Sequence, residues 1–322
     1  MAVYTKLSEN NLKDFFSKYN LGKLLNYKGI KEGIENTNYF IHTEKGKFIL
    51  TVYEKRIEER DLPFFMGLMR NIFDESFPSP EPIINRNGNY ITEISNKKAA
   101  VVSFLNGSAK KNLSPINCHE IGIYTAKLHI ITKKLTGKRK NVLSVNSWRK
   151  LYKNVEKDCT KIHPNLIKII EKNLDEIENH WPKNIPSGII HADLFSDNIF
   201  FKNNKLSGII DFYFSCNDFY AFEIAICLNA LCFEGYKENL SFNVTKAKKF
   251  IDGYSQIREL SEEEKKSLKI LCQGAAMRFL LTRVFDYLNL TEGAIVKIKD
   301  PMEYLKRLEF HNSVTNYEDY FF

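Results

Sequence analysis

The six cysteines of this 322-residue chain, Cys118, Cys159, Cys216, Cys227, Cys232 and Cys272, include no Cys-x-x-Cys pair. That leaves neither a zinc motif nor a dithiol redox motif. Most sit in apolar, helix-like surroundings and are expected to be reduced, buried small hydrophobes. No apolar run approaches the roughly 20 residues that span a bilayer. The opening Met-Ala-Val-Tyr-Thr-Lys has no apolar signal core, so a cytoplasmic protein with no membrane partner is expected. Internal repeats, low-complexity tracts and long linkers are missing too. Lys and Arg outnumber Asp and Glu to give a net charge of +8, but they are not gathered into blocks, and 39 acidic residues lie among them. Nucleic acid is therefore not the expected partner. A solvated surface with some attraction for small anions is the more economical reading.

What is present is the composition of a soluble globular protein, 43% hydrophobic and 27% charged. The length suits one large or two ordinary domains. The informative stretch is 187–215. Ile189 and Ile190 form a short apolar run, and a polar loop follows from His191 to Asn198. Ile199 to Phe201 and Leu206 to Ile210 are two further apolar runs around a turn centred on Asn203 and Asn204, which together read as a hairpin. A hairpin returns its ends to one place, so Asn198 and Asp211 are expected to be neighbours, with Asp193 in the loop leading to the same end. Phosphoryl transfer uses such a cluster: one Asp takes the attacking hydroxyl's proton, while an Asn and a second Asp hold Mg²⁺ against nucleotide phosphates. His191-x-Asp193-x-x-x-x-Asn198 has the spacing of a kinase catalytic loop, and Asp211-Phe212 stands where Asp-Phe-Gly would stand. The competing reading is a hairpin whose polar loop merely caps strands. The hairpin context and the terminal Asp weigh against it.

The rest of the chain is a β-rich front and an α-rich back. Residues 8–19 read as a capped amphipathic helix with Leu12, Phe15, Phe16 and Tyr19 on one face. Residues 24–52 read as three strands. Between the first two, Gly33 followed by Asn36, Thr37 and Asn38 suggests a tight turn with exposed amides suited to phosphate; an ordinary hairpin turn is the alternative. Residues 58–73 read as a helix with Pro63 in its first turn. Strands are expected at 89–94 and 98–105, ending at Phe104-Leu105-Asn106-Gly107, a hinge between lobes or a plain connecting loop. Helices are expected within 145–181, 222–233 and 265–290. His129 ends an apolar stripe and reads as a structural hydrogen bonder rather than a catalyst. The fold class expected is α+β, protein-kinase-like and two-lobed, with a nucleotide-binding lobe at 1–105 and a helical lobe at 106–322.

These motifs resemble the aminoglycoside phosphotransferase and choline kinase group, relatives of protein kinases that phosphorylate small hydroxylated molecules. A closer resemblance is to bacterial homoserine kinases of this fold, the ThrB type. It is carried by Met-Ala-Val-Tyr-Thr at 1–5, Gly-Ile-Glu-Asn-Thr-Asn-Tyr-Phe at 33–40, Leu-Thr-Val-Tyr-Glu-Lys-Arg at 50–56 and Asp-Leu-Pro-Phe-Phe at 61–65. His-Ala-Asp-Leu-Phe at 191–195, Ile-Asp-Phe-Tyr-Phe at 210–214, Ala-Ile-Cys-Leu-Asn-Ala at 225–230 and Gly-Ala-Ala-Met-Arg-Phe-Leu-Leu-Thr-Arg at 274–283 extend it nearly end to end. The resemblance implies phosphoryl transfer from ATP, with Mg²⁺, to the hydroxyl of L-homoserine, giving O-phospho-L-homoserine for threonine synthesis. It implies Asp193 as catalytic base and Asn198 and Asp211 as metal ligands. It places Gly33, Ile34, Asn36, Thr37, Asn38, Phe104 and Leu105 at the nucleotide. A zwitterionic acceptor wants a cation for its carboxylate, and Arg278 and Arg283 are the candidates, with salt bridging on a core helix as their other reading.

Three departures stand out. The wider group carries a phosphate-holding Lys on the third strand, where this chain has Thr51; Lys47 or Lys55 could substitute. Ser196 replaces a usual Pro, and Glu223 a usual Asp. Two other functions stay open on the residues. One is a different small-molecule kinase: choline would need an aromatic cage, which 16 Tyr and 24 Phe allow, and an aminoglycoside would need an acidic site, which the positive balance disfavours. Methylthioribose is a third acceptor of this kind. The other is a catalytically dead nucleotide-binding module, suggested by the missing Lys and opposed by the intact Asp193, Asn198 and Asp211. Oligomeric state is not legible.

Overall fold

The computed structural model describes residues 4–30, 36–54, 57–289 and 299–321. They fall into two units. The smaller holds the described residues of 1–107 together with Ser207–Tyr213. The larger holds those of 108–206, 214–292 and 298–322.

The smaller unit starts with helix α1 (Glu9–Ser17), set by a capping box in which Ser8 and Asn11 exchange hydrogen bonds. Strands β1 (Leu24–Ile30), β2 (Thr37–Thr43) and β3 (Gly46–Val52) form an antiparallel meander. Helix α2 (Leu62–Asp74) follows, with Pro in its first turn where no amide partner is lost. Strands β4 (Pro82–Ile83), β5 (Ile91–Ile94) and β6 (Lys97–Ser103) complete a six-stranded sheet in which β6 pairs with β3, β4 and β5. Strand alternation decides the two faces. Leu50 and Val52 of β3 and Ala99 and Val101 of β6 point into a core with Leu12, Phe15 and Phe16 of α1. Tyr53, just past β3, packs edge-on against Tyr213, and Phe65 of α2 packs edge-on against the same ring.

The larger unit is mostly helical. Strand β7 (Ser108–Ala109) precedes α3 (Pro115–Thr132), α4 (Val145–Lys153) and α5 (Leu166–His180). Strand β8 (Ser187–Ile190) then leads into the polar loop. Strand β9 (Ile199–Lys202) pairs with β7 and turns through Asn203 and Asn204, both left-handed, into β10 (Lys205–Ile209), whose residues from Ser207 on belong to the smaller unit. Asn tolerates that backbone region better than most residues. Strand β11 (Cys216–Phe219) pairs antiparallel with β8, Cys216 opposite Ile190, so the polar loop leaves from a braced edge. Helices α6 (Tyr220–Leu231), α7 (Val244–Ser255), α8 (Glu262–Leu288) and α9 (Met302–Ser313) complete it. Helix α6 is buried nearly all round, which explains its largely apolar composition. Helices α3 and α7 touch backbone to backbone: a Cβ on Gly122 would fall 2.1 Å from the Phe250 carbonyl oxygen, and one on Gly253 would fall 2.0 Å from that of His119.

The expected α+β class is found, with the sheet in the front of the chain and helices behind. The helix expected at 222–233 runs from Tyr220 to Leu231, and the one expected at 265–290 starts three residues earlier, at the Ser261–Glu264 capping box. The region 145–181 holds α4 and α5 with a 3-10 segment between them. All six cysteines are buried and free. His129 is buried, and its Nδ1 lies 2.7 Å from the Tyr254 hydroxyl, the structural bonding expected of it. No helix among the described residues is long and apolar enough to cross a membrane.

Candidate active site

The loop from His191 to Asn198 is held by its own backbone and by two buried charges. Within the loop, the Asp193 amide donates to His191 Nδ1 at 3.2 Å, the Phe195 amide to the Asp193 carbonyl at 2.9 Å, and the Asn198 amide to the Phe195 carbonyl at 3.0 Å. Ala192 sits at φ 64°, a left-handed conformation that costs a residue with a Cβ about 1–2 kcal/mol. Its peptide groups are gripped from two sides. Glu223, fully buried in the first turn of α6, accepts from the amides of His191 and Ala192. Arg278 of α8 donates through Nη1 to the Ala192 carbonyl at 2.7 Å. These charge-assisted bonds outweigh the strain and fix the residue before Asp193.

Asp193 is paired with Asn198 as the motif spacing requires. Asn198 Nδ2 donates to the Asp193 carbonyl at 2.8 Å and to its Oδ2 at 3.1 Å. With the nitrogen engaged, Asn198 Oδ1 is left as a hard oxygen with no partner among the described residues. Burial pushes the Asp193 carboxyl above the usual carboxylate range, and the charges of Arg278 and Lys299 and the Asn198 hydrogen bond pull it back. Phe195 packs edge-on against Phe279 at 5.0 Å, and Lys299 Nζ lies 5.2 Å from the centre of its ring.

Asp211 belongs to the smaller unit. It follows β10 at φ 67°, after the Ile209 amide has donated to the Pro78 carbonyl at 2.8 Å. Gly208 lies against Leu105, where a Cβ would meet Leu105 Cδ1 at 2.5 Å. Phe104 donates its amide to the Lys47 carbonyl and packs edge-on against Phe40. Of the turn residues, Asn36 and Thr37 are buried and use their side chains internally: Asn36 Oδ1 accepts from the Glu54 amide, and Thr37 Oγ1 donates to Glu54. Asn38 Oδ1 accepts from Thr51 Oγ1 at 2.8 Å, so the strand position lacking a Lys holds a buried hydroxyl tied to the neighbouring strand. Gly33, Ile34 and Lys55 lie outside the described residues.

The two arginines part company, as a five-residue offset on a helix demands. Arg278 is only 2% exposed, lies 4.7 Å over Phe279 and has its Nε sealed without a partner. Arg283 donates to the Asp300 carbonyl and to Glu303, both at 2.8 Å, and lies 4.5 Å over Tyr304. In the sequence, Glu223 stands out only as a departure from the usual Asp. Its signal was nonetheless present: one carboxylate inside the otherwise apolar run from Ala221 to Leu228. Nothing in the local pattern singles out Lys299.

The described residues contain no cluster of three metal-ligating His, Cys, Asp or Glu. Magnesium held by one or two protein oxygens plus phosphate needs none, and the donors at Asn198 Oδ1 and Asp211 are of the right hard character.

The model of the phosphotransferase enzyme family matches residues 26–260. Homoserine kinase of Nitrobacter hamburgensis is 46% identical over 320 residues, 99% of this chain and 97% of that one. Homoserine kinase of Agrobacterium fabrum is 44% identical over 320 residues, 99% and 98% of the two chains. Among solved structures, an amicoumacin kinase in complex with AMP-PNP and Ca²⁺ superposes with a TM-score of 0.71 at 16% identity, covering 97% of this chain and 95% of that one. A choline kinase from Cryptosporidium parvum gives 0.63 at 14% identity, covering 89% and 88%. Those two share the fold; the nearly full-length relatives at 44–46% identity narrow it further, and this chain belongs to the phosphotransferase enzyme family and, within it, to the homoserine kinases.

Proposed function

We infer that the protein transfers the γ-phosphoryl group of ATP to the hydroxyl of L-homoserine, giving O-phospho-L-homoserine for threonine synthesis, in the cytoplasm. The observation that carries this is the similarity to homoserine kinases over 99% of the chain. The intact Asp193–Asn198 pairing supports an active enzyme rather than a nucleotide-binding module, because binding alone has no use for a positioned base.

Asp193 orients the acceptor hydroxyl and takes its proton. Asn198, through Nδ2, keeps the Asp193 carboxylate turned to that task. Glu223 and Arg278 hold the Ala192 peptide groups so that Asp193 is presented in one conformation, the preorganisation that positioning catalysis needs. Asn198 Oδ1 and Asp211 would hold Mg²⁺, which supplies charge neutralisation at the phosphates when bound. The nucleotide is assigned to Gly33, Ile34, Asn36, Thr37 and Asn38 and to Phe104 and Leu105; the side chains of Asn36 and Thr37 are already engaged within the smaller unit. Small-molecule substrates are the only partners assigned.

The test is ATP turnover with a panel of acceptors. Homoserine should be used far better than choline, methylthioribose or an aminoglycoside. Turnover of another amino alcohol with none of homoserine would overturn the acceptor and leave the kinase assignment standing.

A further inference from the structure

Homoserine phosphorylation, on which this inference rests, places a hydroxyl at Asp193 and a carboxylate no more than about 5 Å away along three carbons. A carboxylate leaving water needs a cation whose charge is not already spent. Among the described residues, the charges of Arg278 and Lys299 act on Asp193, and α8 carries a further candidate, Arg283. Arg283 is committed to Glu303 and the Asp300 carbonyl. Arg278 is buried, with Nη1 on the Ala192 carbonyl and Nε closed off. Turning it toward a substrate would release the catalytic loop. Lys299 differs from Arg283 in its freedom from a carboxylate and from Arg278, itself without an ion pair among the described residues, in not being buried. It is exposed and forms no ion pair with any described residue. Its Nζ rests over the ring of Phe195, two residues from Asp193, and its field reaches the Asp193 carboxylate.

We propose that Lys299 is the specificity-determining residue that binds the carboxylate of the acceptor. The ammonium on Phe195 is poised rather than engaged: an exposed cation–π contact is weak, and a lysine stem turns freely from it to a carboxylate a few ångströms away. The Phe195 ring, fixed edge-on by Phe279, keeps that stem beside the loop instead of in bulk water. Arg278 then serves as a positioning residue. The chain so separates two tasks that a single arginine could not perform together, holding the loop and admitting the substrate.

The test compares L-homoserine with 3-aminopropanol, the same amino alcohol without its carboxylate, as substrate or competitive inhibitor. Lys299→Ala should lower kcat/KM for homoserine on the order of 10- to 100-fold, the scale of a hydrogen bond between charged groups. The loss should fall mainly on KM, because the carboxylate is bound alike in ground and transition states, with KM for ATP nearly unchanged. Recognition of 3-aminopropanol should change little, so the preference for homoserine shrinks by the same factor, and Lys299→Arg should recover much of it. An equal loss for both acceptors would mean that the charge acts on Asp193, and would overturn the proposal; so would unaltered use of homoserine. If the wild-type enzyme turns over homoserine and only the variant comparison fails, the activity stands and Lys299 does not. If the wild-type enzyme ignores homoserine, both fall.

Discussion

The carboxylate of Glu223 accepts hydrogen bonds from two consecutive amides, those of His191 and Ala192. Burial pushes it up to about 7, against the pull of those amides and of Arg278. An acid whose folded-state pKa exceeds its unfolded value takes up a proton on folding between the two. This group therefore costs stability progressively as pH rises from about 4.5 to about 7, and nothing further above that. Glu223→Gln keeps an acceptor oxygen and removes the titration. The difference in Tm, wild type minus Gln variant, should fall as pH rises through that window; a flat difference would refute the assignment. Glu223→Ala, by contrast, leaves two buried donors unpaired and should cost about 2–4 kcal/mol at pH 7.

Asp193→Ala should leave ATP affinity nearly intact and lower kcat by about 10²- to 10⁴-fold, the usual scale for loss of a general base. Nucleotide binding by calorimetry and turnover measured on the same preparation separate the two quantities. Near-normal turnover would remove Asp193 from the mechanism.

Asp211→Asn removes charge from the proposed metal site without removing an oxygen. The Mg²⁺ concentration giving half-maximal activity should rise several-fold, while saturating Mg²⁺ restores much of the rate. Asn198→Ala should not be restored in this way. It deletes the donor that holds the Asp193 carboxylate as well as an oxygen that would meet the metal. Equal recovery of both variants in high Mg²⁺ would contradict the double role of Asn198.

His311 is a second buried titratable group, far from the catalytic loop in sequence. Asn229 Nδ2 donates to the carbonyls of Ala225 and Cys272, so its Oδ1 must be the atom facing His311 Nε2 at 3.1 Å. Nε2 therefore carries the proton, and Nδ1 accepts from the Tyr320 hydroxyl at 3.0 Å. Burial, with a smaller push from Arg307, lowers the imidazole to about 3. The unfolded chain binds the proton first, so stability is lost as pH falls from about 6.5 toward 3. His311→Leu should cost about 2–3 kcal/mol at neutral pH, because Asn229 Oδ1 loses its donor and the Tyr320 hydroxyl its imidazole acceptor. The same change should flatten the acid limb of a Tm-against-pH curve; an unchanged limb would assign the acid sensitivity elsewhere.

Most of the local structure around Asp193 was readable because it is built from neighbours in sequence. Asn198 bonds back five residues to Asp193, and the Asn203–Asn204 turn sits where two apolar runs require one. The clamp on Ala192 was harder to read. Its parts come from positions 223 and 278, and no spacing rule joins residues brought together by helix packing. The arginines show the same limit: helical geometry predicts that Arg278 and Arg283 point differently, but only the packing of α8 reveals that both are engaged. Lys299 was invisible for another reason. Its distinction is an exposed ammonium beside the loop with no ion partner among the described residues, and a string of letters displays neither exposure nor unspent charge.

The contact between α3 and α7 constrains how this chain can vary. At Gly122 and Gly253 the atoms that forbid a Cβ are carbonyl oxygens of the facing helix, which every residue carries whatever its side chain. No exchange of side chain on one helix can make room for a methyl group on the other. A library randomised at both positions should return glycine at each independently, with no correlated pairs. Recombination between this gene and a distant relative, with a breakpoint anywhere between the two helices, should yield folded progeny only when both parents encode glycine at these sites.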